Sequence, residues 1–372
     1  MRILHGSNGP PSASLGALTA SIRRLALVGL AKNTGKTVAL SALLGELQAQ
    51  GRHVGVTSVG RDGEERDAID AHIEKPRVWL AAGSLVASTD ALLRASAIPY
   101  ESLEQTGIRT PLGQVMIVRL CDAGAVEVAG PSAAADVRAV SDAMLAHGAQ
   151  QVLIDGAIDR RAASSPGVAD GLVMSTGAVL GQHISEVVKQ TRDAVELVRL
   201  APVESSSGGR LRALAEQAVE RGATGADGLL VDEDFEPVAL PPRFALTAEG
   251  EQIARLLDSR PNARWLILAG ALPDRFLRHV LQAAHRRRRE LVLVVADPTR
   301  VFLSNRGPAW YRSQGIDIQA LRTMELAAIT VNPLAPRSHR FDSAELRALL
   351  ADAIPDVQIF DVLHADYLAA AV

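Results

Sequence analysis

The chain has 372 residues, 48% hydrophobic and 22% charged, enough length for two domains and enough apolar content to bury a core in each. A formal charge of −3 gives no overall pull toward nucleic acid or an anionic membrane, and 3% aromatics leave little for stacking bases. The single cysteine, Cys121, excludes an internal disulfide, and no run approaches 18 uninterrupted apolar residues. The expectation is a cytoplasmic protein with no nucleic-acid or membrane partner.

Residues 1–22 read as a flexible tail, because 1–21 is rich in Gly, Ser, Pro and Ala and lacks the apolar core of a signal peptide. From residue 23 strands and helices alternate, the pattern of an α/β protein with a largely parallel sheet. Residues 25–28 are all apolar and run into Gly29, as in a strand buried on both faces. Leu40, Leu43, Leu44 and Leu47 recur at i, i+3, i+4 and i+7 and predict a helix that stops at Gly51. Residues 53–59 supply the next strand, and the charged residues 60–80 a loop with a short helix. Residues 114–120 and 125–129 flank Asp122-Ala123-Gly124 and read as an appended antiparallel hairpin. Gly130-Pro131-Ser132 opens a helix carrying Val137, Val140 and Met144, closed by Gly148. Strands at 151–154 and 172–175 follow, then an amphipathic helix over 182–200. These elements form a first domain over 23–201. Residues 202–241 read as a linker, with a Ser/Gly joint at 205–209. Beyond Pro241-Pro242, strands at 265–269, 291–296, 327–331 and 357–362 alternate with helices and predict a second α/β domain over 242–372.

The strongest chemical signal is GLAKNTGKT at 29–37, between a predicted strand and a predicted helix. A phosphate-binding loop needs glycines so that backbone N–H groups can wrap around oxygens. It also needs a lysine for the β- and γ-phosphates and a Ser/Thr hydroxyl for Mg²⁺. Gly35, Lys36 and Thr37 match those roles, and the helix N-terminus over 35–38, Val38 included, adds partial positive charge. Gly29, Lys32, Asn33 and Thr34 complete the candidate set. Five residues separate Gly29 from Gly35, one more than in G-x4-G-K-[ST], and a chance GKT at a helix start is the plainer alternative.

The apolar run 152–154 ends in Asp155, placed as such a site needs for a carboxylate that holds Mg²⁺ directly or through water. A strand-end Asp also serves as a turn or helix cap. Asp159 and Arg160-Arg161 follow on the same edge, as phosphate contacts or as a solvated loop. The segment 57–65 after the second strand lies where a γ-phosphate sensor would sit, with Asp62 the first choice as catalytic carboxylate and metal ligand and Glu64 the second. A charged surface loop explains it too. All three segments fall at strand carboxyl ends, where open α/β sheets bind ligands. Asn332-Pro333 sits at another such end, as an adenine reader or as a turn, and Asp297-Pro298-Thr299 at a further one. Lys75-Pro76 and the TPLG at 110–113 look like turns. His285 with the arginines 286–289 reads as a solvated helix end.

The loop spacing resembles those of dethiobiotin and cobyrinic-acid synthetases, within the P-loop ATPases that include ParA- and MinD-like proteins. Lys32 lies four residues before Lys36, one off the second signature lysine of ParA-like proteins, so a dimer-bridging role is not carried over to it. GLAKNTGKT, TSVGRDGE at 57–64, TPLG, AGP at 129–131, DGAIDR at 155–160, STGAV at 175–179, DPTRVF at 297–302 and VNPLAP at 331–336 occur together and in order. That set resembles the P-loop subunit of the reactivating factor for lysine 5,6-aminomutase over most of 23–362. The resemblance implies a P-loop NTPase domain and an accessory ATPase using ATP and Mg²⁺. It also implies two partners, a second ATPase subunit and a cobalamin-dependent aminomutase that has lost its cofactor. Two other functions fit the residues: an ATP-dependent ligase or kinase like dethiobiotin synthetase, and a nucleotide-gated binding protein without a small-molecule substrate. Oligomeric state, a homo-oligomer included, stays open.

Overall fold

A computed structural model describes residues 14–60, 77–157, 165–203, 209–222, 228–287, 290–304, 306–336 and 338–363. The chain is mixed α/β, built on two large, mostly parallel sheets. The first has nine strands, in spatial order Ile359–Phe360, Glu325–Asn332, Gly171–Gly177, Arg24–Gly29, Gln151–Ala157, Val54–Ser58, Leu85–Thr89, Gly113–Leu120 and Tyr100–Thr110. The first seven run parallel, and the last two are added antiparallel. Arg24–Gly29 is almost wholly buried because helices cover both faces of the sheet. Helix Lys36–Ala49 packs Leu40, Leu43, Leu44 and Leu47 onto one face. Val137, Val140 and Met144 of helix Ala134–Ala146, Val187 and Val195 of helix Ile184–Val198, and Leu346 and Leu350 of helix Ser343–Ala353 cover the other. Each such leucine or valine contributes roughly 1.5–3 kcal/mol by leaving water.

The second sheet runs in the order Ala201–Pro202, Ile316–Ala320, Leu291–Val295, Ala263–Leu268, Gly228–Asp232 and Pro237–Ala239. Its first four strands are parallel, and the last two are antiparallel additions. Helix Arg210–Gly222 covers one face; helices Gly250–Asp258, Asp274–Arg287 and Pro308–Ser313 cover the other. Helix Ile184–Val198 serves both units. Its Val187 and Val195 belong to the first core, Leu197 packs on the second, and Glu196 Oε2 accepts the Ala309 N–H at 3.2 Å.

Several expectations need correction. Residues 15–22 are not tail: helix Leu15–Thr19 buries Leu15, Thr19 is fully buried and Ile22 nearly so, and Glu46 Oε2 accepts the Gly16 N–H at 2.7 Å. The overlooked signal is the 3–4 spacing of Leu15, Leu18, Thr19 and Ile22 inside a Gly/Ser/Ala-rich stretch. The hairpin is displaced as well. Tyr100–Thr110 pairs with Gly113–Leu120 around Pro111-Leu112, while Gly124–Val126 pairs with Val78–Leu80. Thr110 forms that turn with its own hydroxyl, which accepts from Leu112 N–H and donates to the Gly113 carbonyl. The proposed linker carries helix Arg210–Gly222 and two strands of the second sheet.

The largest change concerns the last two strands, expected in the second domain. Glu325–Asn332 lies parallel beside Gly171–Gly177, and Ile359–Phe360 lies beside it, so both extend the first sheet. Periodicity shows that a strand exists but not which sheet it joins. Here Leu326, Ile329 and Val331 share the core of Met174 and Leu172. Ile329→Ala should therefore lower the unfolding free energy by about 2–5 kcal/mol in urea titrations. A loss below about 1 kcal/mol would mean that this strand is not part of the first core.

Candidate functional site

The 29–37 loop leaves the central strand of the first sheet and runs directly into helix Lys36–Ala49. Two left-handed residues turn it, Asn33 at φ 67° and Gly35 at φ 85°. Between them Thr34 is buried, and its hydroxyl donates to the Ala31 carbonyl at 3.0 Å, bracing the loop from inside. A β-carbon on Gly29 would stand 2.5 Å from that hydroxyl, so only glycine lets the loop close here. Gly35 is the helix N-cap, no side chain caps the helix, and the Ala39 N–H makes its bond to the Gly35 carbonyl at 3.0 Å. The amides of Thr37 and Val38 precede that bond and point along the helix axis toward the loop. An uncapped N-terminus of this kind accommodates an anion, through its N–H groups and through the helix dipole.

Lys36 reaches across the strand end, with Nζ 2.8 Å from Asp155 Oδ1. Both side chains are largely shielded, 13% and 24% exposed, and that carboxylate oxygen is itself buried. Asp155 belongs to Gln151–Ala157, the neighbour of the loop strand, in register with Leu27 on one side and Ser58 on the other. An oxygen so placed is suited to a cation, whether the lysine ammonium or a metal. Among the described residues no group of three or more His, Cys, Asp or Glu gathers as a metal set.

The end of strand Val54–Ser58 is tied to the same place. Val59 N–H donates to the Asp155 carbonyl at 2.9 Å, and Gly60 N–H to the Pro131 carbonyl at 2.9 Å. Ser58 Oγ accepts the Gly130 N–H at 3.0 Å. Gly130 and Pro131, expected to open a helix, instead cross the strand ends, and the helix starts at Ala134. Asp62, Glu64, Asp159, Arg160 and Arg161 lie outside the described residues, as do Lys75 and Pro76.

Of the sequence candidates, the structure brings together Gly29, Asn33, Thr34, Gly35, Lys36, Thr37 and Asp155. Lys32 and Val38 are exposed at the rim, and Val38 enters the argument through its backbone. Sequence reasoning missed the support beneath the loop. Leu30 N–H donates to the Ser175 carbonyl at 2.9 Å, and Ser175 Oγ meets Thr330 Oγ1 at 2.8 Å, both side chains buried. The small polar residues at the ends of two apolar strands were the available signal. Asp297 caps its own turn by accepting the Thr299 N–H at 2.9 Å. No helix among the described residues is long and apolar enough to cross a membrane. Compared with known proteins, the chain matches no family model, and no curated protein matches its sequence.

Gly35→Ala tests the loop geometry. A β-carbon in the left-handed region costs about 1–2 kcal/mol, and here it would also press on Asn332 Cβ at 3.2 Å. Thermal unfolding should drop by several degrees, and an unchanged midpoint would show that the turn is not constrained as described.

Proposed function

We propose that the chain is a P-loop nucleoside triphosphatase that binds ATP with Mg²⁺ at the 29–37 loop. We further propose that it acts in the cytoplasm as the ATPase subunit of a reactivating factor for a cobalamin-dependent aminomutase, together with a second ATPase subunit. One observation carries the first part: an uncapped helix start behind a left-handed Gly35, with the Lys36 ammonium held 2.8 Å from Asp155. The second part rests on the ordered set of phrases that resembles that family.

In this reading the amides of 33–38 take the phosphate oxygens, and Lys36 exchanges Asp155 for the β- and γ-phosphates. Thr37 and Asp155 would hold Mg²⁺, which supplies charge neutralisation at the transferring phosphoryl group. Asp62 is the proposed carboxylate that orients the attacking water. A switch follows from the same parts. Val59 at the end of strand Val54–Ser58 is bonded to the Asp155 carbonyl, and helix Ile184–Val198 packs in both cores, so contacts that differ between nucleotide states would have a path to the second unit.

The test is Mg²⁺-dependent ATP hydrolysis by the chain alone, then with a cobalamin-inactivated aminomutase and its partner ATPase. Stimulation by the mutase, reduced about 100-fold or more in Lys36→Ala, is the expected result. Turnover that ignores the mutase but rises with a small carboxylate or amine would overturn the reactivator assignment in favour of a ligase.

A further inference from the structure

Asn332 ends a strand that lies 299 positions downstream of Asn33 in the sequence, yet its side chain closes on the loop. Its Nδ2 donates to the Asn33 carbonyl at 2.9 Å, and its Oδ1 accepts the Leu334 N–H at 3.1 Å. Its Cβ lies against Gly35, 3.2 Å from where a β-carbon would stand there. The backbone is fixed in turn. Asn332 is in register with Gly177, two residues beyond Ser175, and Thr330 of its own strand bonds the Ser175 hydroxyl. The loop is therefore gripped twice, at Leu30 by Ser175 of the adjacent strand and at Asn33 by Asn332 of the strand beyond it.

We propose that Asn332 is a positioning residue for the phosphate loop: its amide N–H holds the Asn33 peptide in the left-handed turn that aims the following amides at an anion. This deepens the phosphate-loop assignment above and rests on it for the anion. It differs from the adenine-reading role considered for this asparagine, because the amide is turned onto the loop backbone. Asn33 has φ 67° and is exposed, so little else on its own side opposes relaxation to an ordinary conformation. Without the clamp the loop amides would sample other orientations, and the anion would have to order them at the cost of affinity.

Two variants separate the contacts. Asn332→Ala removes both hydrogen bonds, whereas Asn332→Asp keeps size and the acceptor for Leu334 but loses the donor to Asn33. In ligand-free protein, NMR order parameters of the backbone amides of 31–37 should fall in both variants from the rigid range of about 0.85 toward about 0.6, with the rest of the first sheet unaffected. In Asn332→Ala, affinity for Mg²⁺ with ATP, with GTP and with inorganic tripolyphosphate should fall by a common factor of about ten. Unchanged loop order parameters, or order retained in Asn332→Asp, would overturn the clamp. A loss confined to ATP, with tripolyphosphate unaffected, would make Asn332 a base reader instead. If the wild-type protein binds none of the three, the phosphate assignment fails, while loop order in the ligand-free protein still decides the clamp.

Discussion

Between Gly29 and Lys36 the chain has to leave the middle of a parallel sheet, turn over its carboxyl end and start a helix. It does this with two left-handed residues and no side-chain cap. Most of what surrounds the turn answers that constraint. Thr34 fills the inside of the loop, Ser175 holds it from the adjacent strand and Asn332 from the strand beyond, and Lys36 sets its charge against Asp155 on the strand at the other side. A loop left to itself would relax the left-handed residues and scatter its amides. The sheet order is what prevents this, because Gly171–Gly177 and Gln151–Ala157 flank the loop strand directly. The uncapped helix start is sustained by these contacts at its edges, which leaves the centre available for an anion.

Local chemistry explains which parts were legible from residues alone. The all-apolar run before Gly29, the leucine spacing after Lys36 and the Gly-Lys-Thr between them are determined within about twenty residues, and structure and sequence agree there. Long-range pairing is where the reading departed. Glu325–Asn332 has the same apolar pattern whichever sheet receives it, and only packing of Ile329 and Val331 against Met174 decides. The same departure hid Asn332 as a neighbour of Asn33, since nothing near either residue signals the other. The N-terminal helix was obscured by composition, because Gly, Ser and Ala suggested a tail while Leu15 and Ile22 were already spaced to pack. Hairpin register failed for a further reason: Asp122-Ala123-Gly124 and Thr110-Pro111-Leu112-Gly113 are both plausible turns, and the longer cross-strand match selects the second.

Gly-Lys-[Ser/Thr] occurs once in the sequence, at 35–37 in the first unit, and the second sheet meets that unit through helix Ile184–Val198. That helix follows the strand whose Ser175 supports the loop, and its far end receives Ala309 on Glu196. In the proposed reading, a nucleotide that rearranges the loop would reach this helix through the strand that carries Ser175.

The proposed phosphate cradle at the 29–37 loop faces Asp155 across the strand ends. Its most direct test is a crystal structure with a non-hydrolysable ATP analogue and Mg²⁺. The account predicts the terminal phosphates against the amides of 33–38, with Lys36 drawn from Asp155 onto them and the metal beside Thr37 and Asp155. A nucleotide bound elsewhere, with the Lys36–Asp155 pair intact and the loop empty, would contradict it.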